Sequence, residues 1–326
     1  MEQRAFRRIG REVSIIGAGT WQLGGDWGPV GAADAADLLA AAVGAGVSFF
    51  DTADVYGDGR SEQLIGHFLA SSSAEIFVAT KMGRRAPLSP EQYTLPNFRA
   101  WVDRSRTNLG LDRLDLVQLH CPPTAVYSLD PVYDALDTLV QEQRIAAYGV
   151  SVETCAEALT AIARPGVASV QIILNPFRQK PLDEVLPAAE RAGVGIIARV
   201  PLASGLLSGK YTRETTFAPT DHRTYNRDGS AFDVGETFSG IDFETGVDAA
   251  RQFAELIPAG ITPAQAALRW ILQQPGVTAV IPGARNAEQM RANAAAAVLD
   301  PLPEPVLAQI RELYSARIAP LVHDRW

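Results

Sequence analysis

The stretch VSFFDTADVYG, residues 47–57, runs from an apolar strand straight into two aspartates and a tyrosine. Val47, Phe49 and Phe50 leave no polar face, which is the pattern of a parallel strand covered on both sides. A strand buried in that way has no structural reason to emerge in charge, so Asp51 and Tyr56 call for partners elsewhere. Seven more short runs share its character: SIIGA (14–18), IFVAT (76–80), DLVQL (115–119), AYGVS (147–151), SVQII (169–173), GIIAR (195–199) and TAVI (278–281).

Helical segments separate these runs, and their ends are legible. Asp130 before Pro131 reads as an N-cap with proline at the first helical position. TPAQ at 262–265 reads as a capping box from Thr262 to Gln265, and Gly110 as the stop of a helix over 97–109. Strand–helix alternation repeated eight times predicts an α/β fold, a (β/α)8 TIM barrel, formed by residues 1–326 as one domain. Residues 4–13 predict an N-terminal hairpin capping one end. A polar, unperiodic loop over 211–245 follows strand seven, too long to be a mere connection.

Composition narrows the class of function. A formal net charge of −8 argues against nucleic acid or an anionic membrane as partner. No run reaches the ~20 apolar residues of a membrane span, and the N-terminus lacks the apolar core of a secretory signal. Cys121 and Cys155 are too few for a disulfide framework, which predicts a reducing cytoplasm. Four histidines without an HExxH or Cys–His cluster predict no metal. Monomer and homo-oligomer are equally compatible with the composition.

Barrel enzymes build their sites at the carboxyl ends of the strands. Read in order, those ends carry Asp51 with Tyr56, then Lys81, His120, Ser151, Gln171 and Arg199. The residue types suggest a chemistry. A free phenol titrates near ~10, and a neighbouring ammonium pulls that value down. Lys81 is expected to act so on Tyr56, Asp51 to hold Lys81, and His120 to orient a carbonyl oxygen. A general acid beside a polarised carbonyl still lacks an electron source, so a cofactor must supply hydride.

These segments resemble the aldo-keto reductase superfamily over essentially the whole chain. FFDTADVYGDGRSE resembles the family's Asp-x4-Tyr signature and its Gly-Arg-Ser-Glu element, VATKMG the lysine segment, and LDLVQLHCPP the histidine segment. The resemblance implies a catalytic tetrad of Asp51, Tyr56, Lys81 and His120, with Tyr56 the proton donor. GAGTW implies Thr20 near a nicotinamide and Trp21 in the substrate pocket, with Tyr56 and His120. YGVSV matches with Ser151 but has Val152 where asparagine is common, leaving Ser151 and Gln171 for the carboxamide. ARVPLASGLLSGK resembles the strand-seven phosphate loop and implies roles for Pro201, Leu202, Gly205, Leu207 and Lys210. Arg199 stands there in place of a stacking aromatic, so its plane is expected to stack instead or to reach a substrate anion.

IPGARNAEQMRAN resembles the motif gripping the adenosine end and implies Gly283, Ala284, Arg285, Gln289 and Asn293, with Ala292 replacing a frequently acidic neighbour. The residues agree, since backbone N–H groups at the start of a helix over 286–297 favour an anion and Arg285 can fork onto a phosphate. Arg285 and Lys210 favour NADPH over NADH. In the long loop, Arg223 or Arg227 is expected at a phosphate, and His222 or Tyr225 at the pocket border. The resulting expectation is an NADP-dependent oxidoreductase acting on a small aldehyde or ketone, sugars included. Three alternatives share the residues: a sugar or alcohol dehydrogenase working oxidatively, a nucleotide-binding redox-sensing auxiliary subunit with little turnover, and a Schiff-base aldolase using Lys81.

Overall fold

In the computed structural model, which describes residues 1–25 and 30–326, every apolar run becomes a strand. A hairpin of β1 (Gln3–Phe6) and β2 (Arg11–Ser14) precedes eight parallel strands: β3 (Ala18–Gly19), β4 (Phe49–Asp51), β5 (Phe77–Met82), β6 (Leu114–His120), β7 (Ile145–Ser151), β8 (Val167–Ile173), β9 (Gly195–Arg199) and β10 (Val277–Val280). They pair in chain order from β3 to β10. The first predicted strand is the shortest in the sheet, since of SIIGA only Ala18 pairs with β4 and residues 15–17 do not. Those residues bond to the last strand instead, Gly17 N–H to Val280 O at 2.8 Å and Val280 N–H to Ile15 O at 2.9 Å. Parallel bridges Ile16–Val280 and Gly19–Gly283 close the sheet into a barrel.

Period-two alternation decides what fills the interior. Phe49, Phe77, Ala79, Leu116, Ala147, Ile197 and Ala279 form one buried cluster at its lower and middle levels, joined by Phe6 and Val13 from the hairpin. Phe6 stacks on Phe77 (5.6 Å between centroids) and meets Phe49 edge-on (5.9 Å), so the hairpin closes the amino end as expected. Arginine side chains tie it down. Arg4 donates to Val277 O (2.7 Å) and Leu272 O (2.9 Å), and Arg8 to Arg164 O, Pro165 O and Val167 O.

The caps are mostly as read. Thr262 and Gln265 form the reciprocal capping box, and Gly110 follows the Leu95–Leu109 helix with φ 66°. Asp130 is a correction. Leu129 occupies the cap, Asp130 and Pro131 begin the helix, and the Asp130 carboxylate pairs with Arg164. The 211–245 segment is also more ordered than a solvated loop. It holds a helical turn at His222–Tyr225, shorter turns at Val234–Glu236 and Phe238–Gly240, and the start of the Phe243–Leu256 helix. Phe217, Phe238 and Phe243 give it a small aromatic core. Trp326 anchors its far side, lying 3.8 Å from the Arg178 guanidinium and donating to Asp233 (3.4 Å). No helix among the described residues is long and apolar enough to cross a membrane.

Candidate active site

The same alternation that buries Phe49, Ala79, Leu116 and Ile197 places Asp51, Lys81, Gln118 and Arg199 two residues further up, inside the barrel mouth. Asp51 is fully engaged. One carboxylate oxygen takes the Lys81 ammonium, and the other accepts from Gln171 Nε2 (2.8 Å) and Gln118 Nε2 (3.3 Å). Lys81 also donates to Thr52 O (2.8 Å) and lies 3.5 Å from Tyr56 Oη. A buried ion pair is stable only when its remaining hydrogen-bonding capacity is met, and here it is. Burial works against the Lys81 ammonium, but Asp51 and Tyr56 outweigh it and hold the group charged, above the usual lysine value. An amine so held is a poor Schiff-base nucleophile, which disfavours the aldolase reading.

Tyr56 is positioned by backbone contact. Gly57 has φ 59°, and a Cβ there would lie 2.4 Å from Gly24 O, so only glycine lets this turn sit against the helix that carries Trp21. The Tyr56 and Trp21 rings stack at 6.1 Å. The phenol departs from expectation: burial raises it above its ordinary value, and the lowering by Lys81 only partly offsets this. Tyr56 therefore keeps its proton at neutral pH. His120 meets the Tyr56 ring edge-on at 5.9 Å. Burial, then Arg84, Lys81 and Arg199, hold its imidazole well below the usual histidine range, so it is neutral, and its buried Nδ1 has no partner among the described residues.

The Gly-Arg-Ser-Glu element is a brace. Ser61 Oγ donates to Thr20 Oγ1 and accepts from Thr52 Oγ1, both at 2.9 Å, while Thr20 Oγ1 donates to Asp51 O (2.8 Å). Glu62 accepts from Thr80 (2.6 Å) and Asn108 (2.8 Å). Asp54, between the two signature residues, differs from all of these. It is fully buried, neither carboxyl oxygen has a hydrogen-bond partner among the described residues, and burial pushes its pKa up to about 7.

Arg199 neither projects into open space nor stands alone. Its guanidinium donates to Val152 O (3.1 Å) and pairs with Glu153 (2.8 Å) and Glu236 (3.5 Å). Two of the three departures from the family pattern, Arg199 and Val152, thus touch each other. Arg84 completes the cluster, bonding His120 O (3.2 Å) and Glu236 (2.9 Å). Burial raises Glu153 to about 7 despite Arg199; it opposes ionisation of Glu236 too, but there Arg84 and Arg199 win and hold the carboxyl at about 2. Cys121 Sγ lies within 4.8 Å of both carboxylates, a spacing open to a cation, yet the two guanidinium groups already supply the positive charge. Directly after His120 and Arg199 the chain bends back through Cys121 (φ 46°) and Val200 (φ 50°), a left-handed region that residues other than glycine rarely enter, β-branched valine least of all.

A cleft runs from Thr20, Trp21, Asp51, Tyr56 and His120 past Gln171 and Arg199 to Pro201, Leu202, Gly205 and Gly283. Other expected cofactor residues lie elsewhere. Leu207 is wholly buried, and Ser151 is turned to Cys121 Sγ (3.4 Å). Arg223 is engaged by Asp221 and by Tyr211 (2.5 Å), and Arg227 stacks on Phe243. His222 lies against Trp21 at 4.8 Å, while Tyr225 is largely exposed and meets Phe232 edge-on. Gln289 and Asn293 brace the loop before their helix, bonding Arg285 N–H (2.9 Å) and Gly283 O (3.1 Å), with Ala284 buried beneath. Arg285 and Lys210 are exposed and form no ion pair among the described residues. Trp101 packs on Tyr93 and Phe98 and does not line this cleft. Four residues had been missed: Gln118, Arg84, Glu153 and Glu236. Gln118 is two before His120 and shares its face, a signal alternation offers; Glu236 sits in a loop with no period to read.

A barrel whose carboxyl mouth holds a charged lysine, a protonated phenol and a neutral imidazole beside a long cleft belongs to the barrel oxidoreductases. The chain is a member of the Aldo/keto reductase family, whose sequence profile matches residues 15–315. An uncharacterized oxidoreductase of Mycobacterium tuberculosis is 33% identical over 306 residues, covering 89% of this chain and 86% of its own. Among solved structures, a glycerol dehydrogenase of Gluconobacter oxydans matches with TM-score 0.79 and 27% identity over 97% of this chain and 96% of its own. An aldo/keto reductase of Klebsiella pneumoniae in complex with NADP and acetate shares the fold, with TM-score 0.70 and 23% identity over 96% of each chain.

Proposed function

We propose that residues 1–326 act as one cytoplasmic barrel domain that reduces a small aldehyde or ketone with NADPH, reversibly. The observation that carries this reading is the Asp51–Lys81–Tyr56 line, ending in a hydroxyl 3.5 Å from an ammonium within a cleft that neutral His120 also borders. The residues present suit a nicotinamide nucleotide. Thr20, Asp51 and Gln171 would meet its nicotinamide end, and the amide of Gln171, donating to Asp51, leaves its carbonyl free to accept. Pro201, Leu202, Gly205 and Gly283 would flank its middle. Arg285, an exposed guanidinium just before a helix whose first N–H groups need acceptors, would take a phosphate. The complex of the Klebsiella neighbour with NADP, and the name of the Gluconobacter neighbour as a glycerol dehydrogenase, agree with this assignment.

When bound, the nicotinamide supplies the hydride that no side chain here can supply. The chain's own residues manage the proton. As the carbonyl oxygen gains charge, Tyr56 Oη gives it a proton, and the phenolate left behind is stabilised by Lys81. Asp51, fixed by Gln118 and Gln171, keeps Lys81 charged and aimed. His120, held neutral by burial and by the cations around it, orients the oxygen by a hydrogen bond without competing for the proton. Tyr56→Phe should lower kcat roughly 10²–10⁴-fold while leaving NADPH affinity, read by fluorescence titration, within about threefold. A fully active variant refutes the assignment, and titration with NADH beside NADPH tests the nucleotide preference.

A further inference from the structure

Trp326 is buried yet lines no part of the cofactor cleft. One face of its indole meets the Arg178 guanidinium at 3.8 Å. The ring also abuts the turn over residues 233–240, where a Cβ on Gly235 would come within 2.8 Å of it and one on Gly240 within 2.4 Å. Glycine at both positions leaves the indole its space. Its Nε1–H donates to Asp233 Oδ1 (3.4 Å), the same oxygen that caps the Gly235 N–H (2.7 Å). Arg178 gives the ring its other purpose. This guanidinium is buried, donates to Glu153 O, and leaves Nε and Nη1 without an acceptor among the described residues. Burial lowers it to about 10, so it is still charged at neutral pH, and an aromatic face is the surface that such a plane stacks on best.

Glu236 follows Gly235 directly, so whatever seats this turn also aims that carboxylate. Glu236 accepts from Arg84 Nη2 (2.9 Å) and pairs with Arg199 (3.5 Å). Glu153 pairs with the same two cations, Arg199 at 2.8 Å and Arg84 at 3.5 Å. Two carboxyl groups therefore face two guanidinium groups, and only Glu236 arrives on the long segment after β9. Arg84 passes the constraint on, since its Nε donates to His120 O (3.2 Å). With Glu236 withdrawn, Arg84 and Arg199 would be left to share Glu153, whose carboxyl burial raises to about 7. A buried set of charges that loses one member rearranges, and here the rearrangement reaches the backbone of His120.

Resting on the reductase reading above, we propose that Trp326 is a positioning residue for the reaction at Tyr56 and His120, acting through the 233–240 turn and Glu236 on the bond from Arg84 to His120. The test is a double-mutant cycle read as kcat/KM per folded molecule, with propanal and benzaldehyde at saturating NADPH, followed by NADPH absorbance. Trp326→Ala should lower kcat/KM about tenfold or more, as small misplacements of a reacting group do. Glu236→Gln should lower it too, and the double variant should lose no more than the larger single loss, because both changes act along one path. Trp326→Phe keeps a ring on Arg178 without the N–H and should stay within about threefold of the unmodified protein. Trp326→Leu, which keeps apolar bulk but no flat face, takes the place of the alanine variant in the cycle if that one does not fold. Unchanged kcat/KM with a lowered Tm overturns the inference, because the indole then only stabilises the chain. Losses that multiply in the double variant overturn it as well, and either result leaves the reductase reading intact. NADPH binding by the unmodified protein without turnover of either aldehyde overturns both.

Discussion

The two ends of this barrel are built from the same strands on the same alternation, and they hold opposite things. At the amino end Phe6, Phe49 and Phe77 fill the interior with rings. At the carboxyl end the next inward positions are Asp51, Lys81, Gln118, Gln171 and Arg199, and nearly every polar atom there is spoken for by another side chain. One step along a strand, about 7 Å, separates a hydrocarbon plug from an ionic network. The lower end contributes stability that needs no fine geometry. The upper end holds buried charge that is stable only as a set, and such a set is what positions a proton donor.

The comparison breaks most severely at Lys81. Lys81→Met leaves the Asp51 carboxylate buried against two amides with no cation, and Tyr56 with nothing to stabilise its phenolate. Turnover should fall roughly 10²–10⁴-fold, and removal of one partner of a buried pair should cost about 3–5 kcal/mol of stability, measured by denaturant unfolding. Phe6→Ala tests the other end. It should cost about 3–5 kcal/mol through the cavity it opens under Phe49 and Phe77, with kcat per folded molecule unchanged. A drop in kcat as large as the first variant's would mean that the two ends are not separable.

How much of this was legible follows from period and spacing. The eight strands, the hairpin plug and the convergence of Asp51, Tyr56, Lys81 and His120 could be read because each depends on local pattern, an apolar run and the residue that ends it. Gln118 obeys the same pattern and was overlooked only because an amide advertises no chemistry. The Arg199 cluster was not legible. Its members lie on three separate connections, at Arg84, Glu153 and Glu236, and the last belongs to a segment whose path depends on Phe217, Phe238, Phe243 and Trp326 packing far along the chain. The net direction of the Tyr56 shift was out of reach for a related reason: proximity to Lys81 is a local inference, whereas burial is a property of the whole mouth.

Asp54 sharpens the contrast within the upper end itself, since it is buried three residues from Asp51 and has none of its partners. Its folded pKa, about 7, lies above the ordinary 3.8, so the folded protein binds the extra proton and stability falls as pH rises between those values. Above that window the penalty is fully present. Asp54→Asn removes the titration. The variant should match the unmodified protein near pH ~4 and gain a few degrees of Tm over it by pH ~8, with the difference growing through the interval. A Tm difference independent of pH would show that Asp54 ionises freely. After burial, the Glu62 carboxylate adds to the rise, while Arg85 and Arg104 partly oppose it.

The smallest effect belongs at the rim, where the logic of buried sets no longer applies. Arg285 is exposed and has no ion-pair partner among the described residues, so Arg285→Ala should move Tm by about a degree or less, as surface changes do. What it should change is nucleotide affinity. A charge-assisted bond to a phosphate is worth about 1.5–3 kcal/mol, so NADPH should bind roughly tenfold or more weakly in the fluorescence titration, and its salt dependence should flatten. NADH, lacking the extra phosphate, serves as the internal control. If both nucleotides weaken alike, Arg285 grips a group common to the two, and the preference for NADPH must come from another cation. If neither weakens, the arginine is a solvated charge, and the adenosine end is held by the backbone of the Gly283–Arg285 turn that Gln289 and Asn293 brace.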